Sequence, residues 1–253
     1  SAETFAESGY WAGIDILSMA EDAEVDSAGS YSSGTALEYV EIRYAGGDST
    51  AAVEATNVGL FVDSVVITQS ASSGLALIGE SGDGTIPHSW VGHSDLSFNG
   101  GHGVYIDGYR LYGSVTVHES TLSNNGSSGL STGSGDSGGD HVFTFTNNTI
   151  DSNGGTGLWG GANGTQTITG NVVTDNGGHG IHTRGNGTYT VSDNTSSGNA
   201  GRGVYGLYAT HIISNNTIER NGGGVKVGQG GSYTITGNTI ADNTASDGAG
   251  VET

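Results

Sequence analysis

Residues 166–187 read QTITGNVVTDNGGHGIHTRGNG, and much of the chain is a variation on this stretch. Aligned beneath it, 188–210, 211–231 and 232–253 repeat one Asn at Asn171, Asn194, Asn216 and Asn238, and a second at Asn176, Asn199, Asn221 and Asn243. An apolar residue stands three before the first Asn (Ile168, Val191, Ile213, Ile235), and another follows a Gly after the second (Ile181, Val204, Val225, Val251). The step is about 22 residues, and a fixed period of this size marks a solenoid. Helical repeats do not fit, because the units are rich in Gly and β-branched residues and lack a 3.6-residue apolar pattern.

The register runs backwards with longer loops: Asn148 and Asn153 with Phe145 and Leu158, Ser120 and Asn125 with Val117 and Leu130, Ser94 and Asn99 with Val91 and Val104. A further apolar residue comes two after the first ladder position: Leu96, Leu122, Ile150, Val173, Ile218, Ile240. Three inward stripes separated by turns predict an all-β, triangular coil of roughly ten rungs, stacked about 4.8 Å apart. Stacked Asn side chains can bridge rung to rung as amide ladders. The Gly before the third stripe predicts a turn with positive φ.

The repeat TITGNVVTDNGGHGI, with the opening WAGIDI and LEYVEIRYAGG, resembles the right-handed parallel β-helix of the pectate-lyase-like superfamily, including its NosD-like copper-maturation and carbohydrate-active members. The resemblance covers about the whole chain. It implies the fold and a single β-helix domain over 1–253. It does not imply one function, because this fold hosts lyases, hydrolases, epimerases, adhesins and tailspikes. Solenoids of this composition are mostly extracellular, so the resemblance implies an extracellular or cell-surface location.

Six basic residues stand against 26 acidic ones, a net charge of −20. Binding to nucleic acid or to an anionic membrane surface is therefore disfavoured. The 48 Gly residues follow no collagen period, and the absence of Cys excludes disulfides and thiolate chemistry. No signal peptide or membrane-length apolar run is present, so membrane insertion is not expected. The chain stops within a repeat, with nothing after Thr253 to cover Ile235, Ile240 or Val251. The expectation is a piece of a longer solenoid, or end-to-end homo-association into filaments.

Strand alternation turns the residue after each third-stripe position outward: Tyr105, Ser131, Trp159, His182, Tyr205 and Lys226. Asp107 and Arg184 lie two further on, and His102, His179 and Arg202 just before the Gly. This reads as an aromatic and basic strip along the axis. Tyr105, Trp159, His182, Arg184 and Tyr205 are the carbohydrate-binding candidates, because rings stack on sugar faces and Arg and His bind hydroxyls and carboxylates. The plain alternative is β-propensity.

A catalytic variant of the strip, a polysaccharide lyase or epimerase, would use His182 or Tyr205 as base, Arg184 or Arg202 as clamp, and His179 nearby. A hydrolase needs two carboxylates flanking the bond. The GHG at Gly101–Gly103 and Gly178–Gly180 is similar to a polygalacturonase motif, but that branch's paired-Asp and Arg-x-Lys motifs do not occur, nor does an epimerase-type Asp-Pro-His. No cofactor is required by either reading.

Loops 79–90, 107–114 and 133–141 leave after the third stripe and carry Asp83, Asp107, Asp136 and Asp140, candidates for Ca²⁺. Glu21, Asp22, Glu24 and Asp26 form a second acidic cluster, with a solvated charge run as its alternative. Paired residues such as Thr144 and Thr146, or Thr167 and Thr169, resemble an ice-binding array, which Ile212 and His118 interrupt.

Overall fold

The computed structural model describes residues 6–26, 28–79, 87–108, 113–133, 141–161, 163–245 and 248–253. They form a right-handed parallel β-helix with three walls. The first wall is a ten-stranded sheet running from Ile14–Ile16 to Val251–Glu252. The second is nine-stranded, from Ala36–Glu38 to Ser232–Thr236. The third holds a five-stranded run from Thr149–Asp151 to Thr239–Ala241. Single bridges Thr149–Thr121, Thr121–Asp95 and Asp95–Val66 prolong it towards Val66–Thr68 and Glu41–Arg43. About eight turns of roughly 23 residues are complete. That is slightly fewer than the ten rungs expected, because the outermost strands of the first wall are not matched on every wall.

The three inward stripes are the core. Val104, Leu130, Leu158 and Ile181 on the first wall are fully buried, as are Val117, Phe145 and Ile168 on the second and Leu122, Ile150 and Val173 on the third. Each such side chain contributes about 1.5–3 kcal/mol by leaving water. The core also holds a polar column that the apolar stripes did not announce. Gln166, Tyr189 and His211 share one register column of the second wall and are fully buried. Facing them across the coil are small residues, Gly160, Thr183 and Gly206, and a Cβ on Gly206 would meet the His211 ring at 2.8 Å. The Thr183 hydroxyl lies 2.8 Å from His211 Nε2, and His211 Nδ1 lies 3.3 Å from the Ala209 carbonyl. Both ring nitrogens are thus satisfied in the neutral form, and burial pushes the His211 pKa down to about 4.

Two ladders of Asn hold the corners. Asn171 Nδ2 donates to Asn194 Oδ1 at 3.0 Å and to the Phe145 carbonyl at 2.9 Å, while its Oδ1 accepts from Asn148 N–H and Nδ2. The same pattern runs from Asn125 through Asn153, Asn176, Asn199 and Asn221 to Asn243. The residue before each ladder position has positive φ, as at Asn147 (φ 56), Asp175 (φ 53) and Asp193 (φ 58). This overturns the expectation for the Gly before the third stripe: none of Gly103, Gly129, Gly157, Gly180 or Gly203 has positive φ. Glycine is needed there for space. A Cβ on Gly157 would lie 2.8 Å from Asn176 Nδ2 and 2.9 Å from the Gly180 carbonyl.

The polar excursion after Ile16 is an antiparallel hairpin of Glu24–Val25 with Tyr31–Ser33, whose Tyr31 ring stacks on Phe61 at 5.0 Å. Its acidic cluster is occupied internally. Asp22 Oδ1 accepts from Gly59 N–H, Ser33 Oγ lies 3.0 Å from Glu24 Oε2, and Asp26 Oδ1 accepts from Ala28 and Ser30 N–H. Those backbone bonds lower the Asp26 pKa. Among the described residues no helix is long and apolar enough to cross a membrane.

Candidate functional site

Parallel register converts a sequence spacing into a straight column. Tyr105, Ser131, Trp159, His182, Tyr205 and Lys226 are consecutive Cα partners on the outer face of the first wall, and Glu252 is the next. The strip read from the sequence therefore exists as one line parallel to the axis, with about 4.8 Å between rungs.

His182 is its centre. Its ring lies 4.2 Å from Trp159 at 77°, 4.6 Å from Tyr205 at 33°, and 5.2 Å from His179 at 82°. It is 7% exposed, and neither ring nitrogen has a hydrogen-bond partner. Burial, followed by the charges of His179 and Arg184, pushes its pKa down to about 3. The imidazole is therefore neutral at pH 7, with one N–H and one lone pair unused.

His179 is fixed in one tautomer, since its Nδ1 accepts from Arg202 N–H at 2.9 Å and its proton must sit on Nε2. His102 repeats the arrangement, with Nδ1 accepting from Ser128 N–H at 3.2 Å and its ring stacked on Tyr105 at 5.2 Å. Burial lowers the pKa of both.

The cations of the strip are less available than the sequence implied. Glu252 binds Arg202 at 2.7 Å and Lys226 at 2.6 Å. Arg184 remains outward and lies 5.5 Å from the Tyr208 ring centroid. The result is an aromatic centre with one cation beside it and two tied to a single carboxylate towards the last rung.

Of the catalytic alternatives, His179, His182, Arg202 and Tyr205 come together, whereas Arg184 sits beyond them over Tyr208. Asp107 is engaged by the Tyr105 hydroxyl at 2.6 Å, and burial, followed by this bond, raises the tyrosine pKa. Asp83, Asp136 and Asp140, like Glu80 and Arg110, lie outside the described residues.

Sequence reading missed Glu252, although the repeat aligned Val251 and so placed its neighbour in the column. It also missed a gathering of Asp63, His93, His118 and Glu119 where the second wall turns into the third. Their separation in sequence follows the irregular rung length there, so no motif announces them.

A family model described as "Right handed beta helix region" matches residues 156–253. Among solved structures, a mutant of the periplasmic alginate epimerase AlgG is similar with a TM-score of 0.62 and 16% identity, over 90% of this chain and 61% of that one. This chain thus spans less than two thirds of that protein. Tailspike protein 2 of the Escherichia coli O157:H7 bacteriophage CAB120 is similar with a TM-score of 0.44 and 12% identity, over 92% of this chain and 38% of that one. At these identities the likeness concerns the fold. No curated protein matches the sequence.

Proposed function

We propose that the outer face of the first wall binds an extended polysaccharide, in a non-catalytic adhesive or structural module that works outside the cell. The observation that carries this reading is the single column of Trp159, His182 and Tyr205 on consecutive rungs. Aromatic faces take up the apolar faces of sugars, and the half-buried Trp159 and Tyr205 rings present theirs along this column. The column runs along the solenoid axis, which suits a polymer rather than a compact ligand. Similarity to a periplasmic alginate epimerase supports both the ligand class and an exported protein.

His182 also favours a second reading, an epimerase or lyase acting on a polyuronate. A neutral imidazole beside Tyr205 has the chemistry of a general base, but its nitrogens are out of solvent contact, so a substrate must part the rings of Trp159 and Tyr205 to reach the lone pair. A panel of neutral and uronic polysaccharides, read for both binding and product, separates the two. Trp159→Ala and Tyr205→Ala should each weaken binding by about 1–3 kcal/mol. Unchanged affinity in both, with circular dichroism intact, removes the strip as the binding site. Product formation that disappears in His182→Gln replaces the binding module with an enzyme.

A further inference from the structure

Where the second wall turns into the third, every rung needs one residue with positive φ. Asn147, Gly170, Asp193, Asn215 and Gly237 fill that position with types that tolerate it. On the earlier rungs the position is held by Tyr39 (φ 55), Ser64 (φ 54), His93 (φ 48) and Glu119 (φ 45), so two consecutive rungs place His93 and Glu119 there. Next to Glu119 stands His118, in an outward column that runs Asp63, Gly92, His118, Thr146. Three successive rungs thus deliver two imidazoles and two carboxylates to one corner.

The geometry within that corner is convergent. His93 Nε2 lies 3.3 Å from Glu119 Oε2, and His118 Nε2 lies 3.2 Å from Glu119 Oε1. One donor atom from each of the three residues falls within 4.8 Å of the others. The second ring nitrogens point away to partners of their own: His93 Nδ1 to Asp63 Oδ1 at 2.7 Å, and His118 Nδ1 to Thr146 Oγ1 at 2.9 Å. Asp63 is itself held by the Ser64 hydroxyl at 2.9 Å. When each Nδ1–H donates outward, each Nε2 presents a lone pair inward. Two lone pairs and a carboxylate then face one point, and a cation between them relieves their repulsion.

We infer that His93, His118 and Glu119 bind a divalent transition cation of the zinc type, with Asp63 and Thr146 orienting the two imidazoles. Tetrahedral bonds of about 2.0–2.2 Å place ligand atoms roughly 3.3–3.6 Å apart; the two histidine–Glu119 separations, one to each carboxylate oxygen, are close to this, and the three donor atoms lie within 4.8 Å of one another. Two nitrogens and one carboxylate suit Zn²⁺ and its neighbours, whereas Ca²⁺ and Mg²⁺ require shells of oxygen. With neutral imidazoles, Asp63 and Glu119 supply a charge that a divalent ion offsets. An outer carboxylate on a ligating histidine is the usual device for fixing its tautomer. The Trp90 ring, 5.7 Å from that of His118, walls one side, and Gly92 keeps the corner open. A Cβ on Gly92 would lie 2.7 Å from Trp90 Nε1 and 3.2 Å from Asp63 Oδ1. His93 and Glu119 are half exposed, so a fourth coordination position faces solvent.

The test is calorimetric titration of chelator-treated full chain with Zn²⁺ and separately with Ca²⁺, together with Co²⁺ absorption as a report on nitrogen ligation. The expected result is one Zn²⁺ per chain that Ca²⁺ at equal concentration does not displace. His93→Ala, His118→Ala and Glu119→Gln should each weaken it at least tenfold, and Asp63→Asn by about 10–100-fold. Glu119→Gln keeps the shape of an exposed corner and carries the test if a histidine variant does not fold. Zn²⁺ affinity unchanged in Glu119→Gln, or equal for Zn²⁺ and Ca²⁺, would reduce the corner to a pair of His–carboxylate ion pairs and overturn the inference.

Discussion

The two halves of the solenoid solve the same stacking problem differently. From Asn148 onward both corners carry Asn, and successive turns are 22 or 23 residues apart. Before it the first corner carries Ser94 and Ser120, and the steps lengthen to 26, 28 and 29 residues. An Asn both accepts from one neighbouring rung and donates to the next. The serines accept from the preceding rung, at Val65 N–H and Ser94 N–H, but return their own protons to carbonyls two residues back. A hydroxyl has one proton where an amide has two. The plain half is thus zipped by side chains. The earlier half keeps such a ladder only at its second corner, through Asn99 and Asn125; its first corner relies on apolar stripes and sheet bonds, and it is there that positions are released for His93, His118 and Glu119.

The largest contrast should appear when a ladder residue is removed from each half. Asn176 accepts from Asn153 N–H and Nδ2 and donates to the Ile150 carbonyl and to Asn199 Oδ1, all out of water. Asn176→Ala leaves several buried groups unpaired and should cost about 3 kcal/mol or more, against about 1 kcal/mol for Ser94→Ala. Urea unfolding of the two variants measures the difference. Equal losses would mean that the ladder is not what distinguishes the halves.

Acid should act next, and mainly on the later half. His182 and His211 have folded pKa values pushed down to about 3 and about 4. For a depressed histidine the unfolded chain binds the proton first, so the contribution is complete above about pH 6.5 and is lost as pH falls below it. At pH 4.5 each should cost about 2–3 kcal/mol. His179 and His102 shift in the same direction and add to the slope. Melting temperature against pH should flatten in a His182→Gln, His211→Gln double variant; Gln already occupies the His211 column at Gln166. A slope unchanged in that variant would place the acid sensitivity elsewhere.

The smallest effect concerns the charge at the last rung. Glu252→Gln releases Arg202 and Lys226, and with the pair partly exposed the cost in stability should be about 1 kcal/mol or less. The same variant should bind a polyuronate more tightly than the parent, with little change for a neutral glycan, because two cations return to the strip. Identical uronate affinity would show that the strip ends before Lys226.

Legibility differed between fold and site for a physical reason. A repeat of Asn, Gly and β-branched residues leaves few ways to bury its stripes, so Ile168, Val173 and Ile181 could be assigned to three walls from spacing alone. Alternation then placed Trp159, His182 and Tyr205 outward. Which outward atoms are free was not readable. The Tyr105 hydroxyl is taken by Asp107, and the Arg202 and Lys226 charges by Glu252, through contacts that depend on rotamers. The role of the Gly before the third stripe was misread for a similar reason. Sequence shows that a Cβ is excluded, and only the positions of Asn176 and of the adjoining carbonyl show what excludes it.

By itself, the sequence determined the solenoid, its period, its three inward stripes and the amide ladders, because these are nearest-neighbour requirements repeated along one dimension. The tertiary structure decided which distant residues meet. Rung lengths in the earlier half vary, so the registers that bring Asp63, His93, His118 and Glu119 to one corner are set only when the loops have closed and the sheets have paired. The unpartnered state of His182 was decided in the same way, by the rings of Trp159, His179 and Tyr205 that close around it and leave its nitrogens no acceptor or donor.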